Sequence, residues 1–175
     1  MGTETQQTVS FPWLETYPEG IEWHAHIPQG RIDTLLDDAA TSFPKRTCIN
    51  FLGKKYTYAQ VLDLSNKVAC GLQKRGLKKG MKVGLFMPNA PHFIFFYYGI
   101  LKAGGVVVNY SPLYAEREIS YQINDSETDM MVTLDLDFLY TKLAPMLGNT
   151  RLKKIIICTV SSALPFPKNF LFPFV

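Results

Sequence analysis

The sequence predicts an α/β fold, in which a mainly parallel sheet carries helices on both faces. Four short runs of consecutive apolar residues are the strand candidates, at residues 83–87, 106–108, 130–133 and 155–158. Uninterrupted apolar runs are typical of parallel strands that are buried on both faces. Segments with helical spacing separate these runs, and this alternation indicates a parallel sheet with helical crossovers. A chain of 175 residues is long enough to bury one such core.

Residues 1–30 are expected to form an extended N-terminal arm that precedes the α/β subdomain. Five proline and glycine residues lie in its second part: Pro12, Pro18, Gly20, Pro28 and Gly30. Proline lacks the backbone N–H that helix interiors and central strands need. This part of the chain therefore predicts neither a long helix nor a central strand.

The α/β subdomain is expected to cover residues 31–160 and to begin with a helix. Apolar residues recur there at helical spacing and place a stripe on one face: Ile32, Leu35, Leu36, Ala39, Ala40 and Phe43. Pro44 ends this helix, because a residue that precedes proline is pushed out of the helical region.

A small hairpin and a well-delimited second helix follow. The hairpin strands are predicted at residues 47–51 and 55–57. Thr57 and Gln60 have the spacing of a capping box, in which each side chain accepts a hydrogen bond from the other residue's backbone. The buried stripe of the helix is Val61, Leu64, Val68 and Leu72. Gly76 stands where a helix often ends in a left-handed residue.

Three more helices are predicted between the sheet strands, at residues 93–102, 115–124 and 138–147. The first is apolar almost all round and should be buried. Asn89 is expected to cap it, with Pro91 in its first turn. The second has Ile119 and Ile123 on its inner side, and Pro145 must kink or shorten the third.

Residues 161–175 are predicted to form an apolar tail that breaks the alternating pattern. Prolines at positions 165 and 167 prevent the tail from continuing the sheet. Its large apolar residues are Phe166, Phe170, Leu171, Phe172, Phe174 and Val175. Because a folded protein rarely leaves so much apolar surface uncovered, we expect a tail that is cut off in mid-domain and that promotes a homodimer or a larger species.

Composition and charge exclude several classes of protein. Hydrophobic residues make up 47% of the chain and charged residues 19%, which is typical of a globular domain and not of a disordered one. The net charge is only +3 and the basic residues are dispersed, so nucleic acid is not an expected partner. Cys48, Cys70 and Cys158 lie in apolar patterns without a Cys-x-x-Cys pair, which favours buried free thiols in a reducing cytoplasm. Neither a secretion leader nor an apolar run of membrane-spanning length is visible in the sequence.

One short segment alternates metal-competent side chains, Glu22-x-His24-x-His26. On a strand all three would face the same way. A zinc site needs about four ligands, no further ligand is obvious, and Pro28 ends the run. We therefore expect exposed polar residues here and not a metal site.

A second segment has two glycines at the spacing of a phosphate-binding loop, Gly99 and Gly104. Gly105 and Val106 follow where that loop needs Lys and Ser or Thr. The segment also lies at the end of a helix and not at the helix N-terminus that binds phosphate. We expect a helix stop and a tight turn.

The remaining titratable residues form no catalytic constellation that the sequence can specify. His92 is expected to be exposed in the first turn of its helix. Asp33, Asp37 and Asp38 are interpreted as a solvated helix face, and Asp125, Glu127 and Asp129 as loop and strand-edge charges. No Ser, His and acid set has a suggestive spacing, which leaves a catalytic triad open.

Several segments, taken together and in order, resemble one enzyme family. They are Tyr17-Pro18-Glu19-Gly20, the decapeptide from Gly80 to Asn89, the hexapeptide from Gly99 to Gly104, Asn109-Tyr110-Ser111-Pro112-Leu113-Tyr114, and the pentapeptide from Gln122 to Ser126. They resemble the N-terminal part of the adenylate-forming (AMP-binding) superfamily, most closely the bacterial medium- and long-chain fatty acid–CoA ligases. Met81 departs from the family pattern, which usually has Asp at that position.

The resemblance implies that the whole enzyme uses ATP, Mg²⁺ and CoA to convert a fatty acid into an acyl-adenylate and then into an acyl-CoA. The family's phosphate-binding, Mg²⁺-binding and catalytic motifs do not occur in these 175 residues. We therefore assign no catalytic residue, no cofactor-binding residue and no metal-binding residue. The chain is expected to be an N-terminal scaffold portion that is not catalytic alone.

Two other functions stay open at this point. One is a free-standing, non-catalytic α/β module that binds a partner through its apolar tail. The other is a Rossmann-type nucleotide-binding domain, which is disfavoured because no Gly-x-Gly-x-x-Gly follows a strand. For the ligase interpretation we expect fatty acid, ATP and CoA as partners of the whole enzyme. Its expected location is the cytoplasm, with peripheral contact to the inner membrane face as an alternative.

Overall fold

The computed structural model describes residues 11–172, which divide after Gly30 into two compact units. The first unit contains a short 3-10 helix, Pro12–Thr16. Its aromatic side chains contact one another: Phe11, Trp13, Tyr17 and Trp23. Within its described residues there is neither a longer helix nor a strand, as the density of proline and glycine predicts.

The second unit alternates helices and strands, and each predicted element is present. The helices are α1 Thr34–Ser42, α2 Tyr58–Lys74, α3 Pro91–Lys102, α4 Glu116–Asp125, α5 Asp137–Leu143 and α6 Lys168–Leu171. The strands are β1 Thr47–Phe51, β2 Lys54–Thr57, β3 Lys82–Phe86, β4 Val106–Tyr110, β5 Thr128–Leu134 and β6 Lys154–Cys158. No helix in the described part of the chain is long and apolar enough to cross a membrane.

Four strands form a parallel sheet in the order β4-β3-β5-β6, and β1 and β2 form a separate antiparallel hairpin. In the centre of the sheet, Val83 lies between Val107 of β4 and Met130 of β5. All seven residues of β5 are buried. Because successive side chains of a strand point to opposite faces, the sheet is covered on both sides. The predicted fold class is confirmed.

Two apolar clusters hold the unit together. The larger one packs the sheet against α3, α4 and α5, with Ile100, Ile119 and Ile123 fully buried. The smaller one lies below the hairpin and contains Leu36, Tyr56, Val61 and Phe95. The cavity described below is lined by residues of both clusters, among them Leu72 of the larger one and Phe95 of the smaller one.

The ends of α2 follow the sequence prediction closely. The Gln60 backbone N–H donates to Thr57 Oγ1 at 3.3 Å, and the Thr57 N–H donates to Gln60 Oε1 at 2.9 Å, which completes the capping box. Beyond the helix, Gly76 has φ 94°, a left-handed conformation that glycine adopts without strain. Pro145 likewise shortens the last predicted helix, since α5 ends at Leu143 and a 3-10 turn follows.

Two local predictions were wrong. Within α1 only Leu36 and Ala40 are buried, whereas Ile32, Leu35 and Phe43 are exposed, because α1 packs mainly on α2 and so covers a narrow stripe. Ala90, and not Asn89, is the N-cap of α3. The residue before a proline is pushed into the extended region, and Pro91 occupies the first helical position.

The cysteines are free, but one of them is not buried as predicted. Cys48 and Cys158 are half-buried, and burial raises the pKa of the Cys158 thiol to about 11. Cys70 is exposed on the outer side of α2. The apolar pattern around Cys70 comes from the neighbours Ala69 and Leu72, which face the core.

Candidate functional site

The Glu22-x-His24-x-His26 segment is not a strand. The Ala25 backbone N–H donates to the Glu22 carbonyl at 3.2 Å and closes a turn, so the three side chains do not alternate as they would on a strand. In the described ranges no three His, Cys, Asp or Glu side chains come together in a way that could hold a metal ion.

Backbone atoms pack closely around the turn that leads from α3 into β4. Gly104 has φ 85°, and its carbonyl accepts a hydrogen bond from the Gly80 N–H at 2.9 Å. A Cβ atom on Gly105 would lie 3.0 Å from Ile100 and 3.2 Å from the Met81 carbonyl. The turn also presents the carbonyl end of a helix, which repels phosphate. This segment is the predicted helix stop and tight turn.

Gly99 is a packing position between two helices. A Cβ atom there would lie 2.5 Å from Val68 Cγ1 and 3.0 Å from the Ser65 carbonyl of α2. Real Cβ atoms do not approach other atoms so closely. Glycine therefore lets α2 and α3 meet backbone to backbone.

Tyr110, at the end of β4, is a second packing position in a family-like segment. Its ring crosses β3 at Gly84, where an added Cβ would lie 2.8 Å from the ring and 2.3 Å from Met131 Sδ. The buried hydroxyl is 3.1 Å from Ser126 Oγ and 2.8 Å from Thr128 Oγ1. Burial raises the pKa of Tyr110. The hydroxyl therefore stays protonated and ties β4 to the start of β5.

Two acidic residues, Asp33 and Asp129, are buried and paired, so the prediction that Asp33 is solvated was wrong. Arg31 binds both carboxylate oxygens of Asp33, at 2.9 and 2.6 Å, and this hydrogen bonding lowers the pKa of Asp33. Asp129 accepts from Arg151 at 3.1 Å and from Lys153 at 3.3 Å. Burial acts to raise the pKa of Asp129, but the hydrogen bonds outweigh it and lower the pKa. Both carboxylates fix chain geometry in the described structure.

An apolar cavity of about 550 Å³ opens between α2, α3, β2 and β6. We call it the α2–α3–β6 groove. The described residues that line it are Lys54, Tyr56, Leu64, Lys67, Val68, Gly71, Leu72, Arg75, His92, Phe95, Phe96, Ile156 and Ser162. Its size lies within the range of small-molecule pockets. The sequence did not predict this groove, because its walls come from segments that are far apart in the chain.

His92 lines the groove, and the prediction that it is exposed was wrong. Only 8% of its surface is accessible, and its Nε2 atom lies 2.9 Å from Ser162 Oγ. The Ser162 hydroxyl donates to the Thr159 carbonyl at 2.7 Å. Nε2 must therefore carry the proton and donate to Ser162. Burial lowers the pKa of His92 although Asp135 opposes the shift, so the ring is neutral near pH 7.

The His92–Ser162 contact does not have the chemistry of a catalytic triad. A triad histidine accepts the proton of its serine and donates its other N–H to a carboxylate. Here Ser162 gives its proton to a carbonyl, and His92 Nδ1 is buried without a hydrogen-bond partner among the described residues. The Asp135 carboxylate accepts instead from the Val160 N–H at 2.7 Å.

The contact is better explained as a clamp on the segment that follows β6. Lys54 Nζ donates to the Ser162 carbonyl at 2.6 Å, and this contact joins residues that are 108 positions apart in the chain. Ala163 and Leu164 are buried next to it, whereas Phe166 is 83% exposed. The first part of the predicted tail is thus docked on the domain, and its later described part projects. Phe174 and Val175 lie outside the described residues.

Comparison with known proteins shows clear similarities. The profile of the AMP-binding enzyme family matches residues 36–172. A long-chain-fatty-acid–CoA ligase of Bacillus subtilis (strain 168) is 41% identical over 162 residues, and one of Salmonella typhimurium is 32% identical over 167 residues. Each comparison covers 93% of this chain and 29% of the relative, so the chain spans less than a third of the length of these relatives.

A solved structure shows the same fold. The crystal structure of a long-chain-fatty-acid-CoA ligase from Archaeoglobus fulgidus superposes with a TM-score of 0.69 and 21% sequence identity. The superposition covers 79% of this chain and 30% of that protein.

Proposed function

Because this chain belongs to the family of AMP-binding enzymes, we propose that it forms the N-terminal scaffold portion of an ATP-dependent fatty acid–CoA ligase and is not catalytic alone. The observation that carries the proposal is the similarity to the Bacillus subtilis ligase along 93% of this chain. Fatty acid, ATP and CoA are the partners that we propose for the whole enzyme, and the cytoplasm is its proposed location.

The roles of the family-like segments support a scaffold. Gly99 and Gly104 serve helix packing and a turn, and Tyr110 locks β4 to β5. Each of these positions shapes the sheet or a helix contact, and none presents a group for chemistry. A scaffold function requires no more than this.

The residues present do not fit ATP and Mg²⁺. A phosphate site needs backbone N–H groups or cations that converge at a helix N-terminus or a glycine-rich loop. The glycine-rich turn after α3 is closed by the Gly80–Gly104 hydrogen bond, and no acidic cluster that could hold a cation occurs among the described residues. We derive no reaction step through ATP in this chain.

Isotope exchange between pyrophosphate and ATP tests the proposal directly. The purified chain is mixed with ATP, Mg²⁺, palmitate and labelled pyrophosphate, and the full-length Bacillus subtilis ligase serves as the positive control. We expect exchange with the control and none above background with this chain. Exchange that copurifies with the chain would show that it carries an adenylation site of its own.

The exposed tail favours a second function, a non-catalytic module that binds a partner. Phe166 and Leu171 are 83% and 51% exposed. Large exposed apolar side chains mark interaction surfaces when they are contiguous. A scaffold contributes to activity only together with the rest of a ligase, whereas a binding module acts without it.

A further inference from the structure

We propose that the outer edge of β6 is an interface between two copies of the chain, which pair their β6 strands antiparallel. The two four-stranded sheets then form one continuous sheet. The proposal does not depend on the scaffold function, since it rests on the backbone and the residues of β6. It also names a surface that is separate from the apolar tail.

β6 is an edge strand with unpaired backbone groups on its outer side. It pairs with β5 and with no other strand of the described residues. The Asp135 N–H donates to the Cys158 carbonyl at 2.9 Å, so the backbone of Cys158 faces β5. Because successive residues of a strand direct their N–H and C=O groups to opposite sides, those of Ile155 and Ile157 face outward. A row of unpaired groups of this kind is a template for another strand.

The devices that usually protect an edge strand are missing from β6. Natural edge strands are protected by charged side chains, proline or a bulge. β6 has the sequence Lys-Ile-Ile-Ile-Cys, and its register with β5 is uninterrupted. Its one charge, Lys154, stands at the first position. Ile157 is 48% exposed, so pairing with another strand would cover apolar surface as well as backbone.

The opposite edge of the sheet, β4, is less suited to pairing. The Val106 N–H donates to the Met81 carbonyl at 2.9 Å, so the backbone of Val106 faces β3. The backbone groups of Val107 and Asn109 therefore face outward. The Asn109 carbonyl is already occupied, because the side-chain amide of Gln122 in α4 donates to it at 3.0 Å. We therefore assign the interface to β6.

A second copy of β6 fits this edge in one antiparallel register. With a two-fold axis at Ile156, Ile155 of one copy lies opposite Ile157 of the other, and these residues exchange backbone hydrogen bonds. The pairing adds about four such bonds and brings isoleucine side chains together across the strands. Lys154 then lies opposite Cys158, so the two lysines are at opposite ends of the interface. A parallel pairing would place the two lysines side by side, which like charges disfavour.

A disulfide bond across the interface tests this register. Residues 154 and 158 of opposite copies would form a non-hydrogen-bonded pair, with Cα atoms about 4.5 Å apart and within disulfide range. The full chain with Lys154→Cys and the native Cys158 is oxidised mildly and separated on a non-reducing gel. We expect a covalent dimer to form roughly tenfold faster than in the unmodified chain, with the introduced cysteine bonded to Cys158. Lys153→Cys is the matched control, because its side chain points to the other face of the sheet.

Sedimentation of the full chain measures the strength of the interface without a cross-link. Ile157→Lys puts a charge on the edge and should raise the dissociation constant of the dimer roughly tenfold. Asn109→Lys, at an exposed position of β4, is the control and should leave the dissociation constant unchanged. The cross-link of Lys154→Cys should persist when Phe166→Ser is added, because the tail is a different surface.

Several results would overturn the proposal. They are equal cross-linking rates of Lys154→Cys and Lys153→Cys, equal dissociation constants of Ile157→Lys and Asn109→Lys, and a chain that is monomeric at all concentrations. A cross-link that disappears with Phe166→Ser would assign the association to the tail and not to β6. No ligase substrate is present in these experiments, so their outcome is independent of the adenylation test.

Discussion

The most informative single residue is His92, a buried neutral imidazole with one unpaired nitrogen. Its Nε2–H donates to Ser162, and burial keeps its pKa below the ordinary value. A histidine in the first turn of a helix gives no sequence signal of burial. Its partner lies 70 residues further along the chain, so only the tertiary structure brings the two together.

This environment predicts a specific pH dependence of stability. An unfolded chain takes up a proton on histidine as the pH falls below about 6.5, whereas folded His92 does so only at lower pH. The unfolded state then binds more protons, so the free energy of unfolding should fall as the pH is lowered from about 7 to about 5. Urea unfolding at a series of pH values measures this slope, and His92→Gln should reduce it.

Two features make the test specific to His92. His24→Gln, at an exposed position of the first unit, is the control and should leave the slope unchanged. The lowered pKa values of Asp33 and Asp129 act in a different window, because the stability they contribute is lost only below about pH 4. An unchanged slope in His92→Gln would mean that His92 titrates normally in the folded protein.

At the scale of elements, the contact between α2 and α3 depends on glycine. Gly99→Ala would place a Cβ atom 2.5 Å from Val68 and 3.0 Å from the Ser65 backbone. Because backbone cannot rotate away as a side chain does, we expect a loss of about 1–3 kcal/mol of stability. Equilibrium urea unfolding gives the difference.

Gly71→Ala is the matched control for this prediction, since Gly71 also lies within a helix but a Cβ atom there would meet only Arg75 Nη1, at an ordinary distance of 3.5 Å. Helix propensity predicts a gain of up to about 1 kcal/mol for this change. If both alanine variants shift stability by the same amount and in the same direction, the close approach at Gly99 is not what limits packing.

Of all features of the structure, the helices and strands were predicted best from the sequence, because their ends depend on contacts between residues that are close together in the chain. The capping box at Thr57 and the glycine stop at Gly76 involve residues within a few positions of each other, so the sequence carries the whole interaction. The prediction of the apolar stripe of α1 was only partly right, because the exposure of Ile32 and Leu35 depends on which neighbouring element covers the helix. The spacing of apolar residues predicts that a helix has an apolar face, but not how much of that face is buried.

At the scale of the whole molecule, the sequence predicted a parallel sheet but not its strand order. The order β4-β3-β5-β6 arises from crossovers whose direction the strands themselves do not encode. The α2–α3–β6 groove could not be predicted for the same reason, since Lys54, Leu64 and Ile156 come together only after the crossovers are made. The family-like segments, in contrast, predicted the fold through their order along the chain.

The tail gives a prediction about association. Phe166 is 83% exposed, and burying an aromatic side chain contributes roughly 1.5–3 kcal/mol. We expect the chain to self-associate with increasing concentration in sedimentation experiments, and Phe166→Ser to weaken this association. Leu113→Ser is the control, because Leu113 is equally exposed, at 88%, in the loop after β4. Equal effects of the two changes would indicate nonspecific association of exposed apolar side chains. A chain that stays monomeric at all concentrations would contradict the prediction.

If the proposal is right, this chain can serve as the scaffold of a fatty acid–CoA ligase. The most direct measurement is made on a chimera, in which residues 36–172 replace the corresponding segment of the Bacillus subtilis ligase, to which the chain is 41% identical. We expect a soluble chimera that forms acyl-CoA from palmitate, ATP and CoA, while the isolated chain forms none. A chimera that folds and binds ATP but produces neither acyl-adenylate nor acyl-CoA would contradict the claim and favour a separate interaction module.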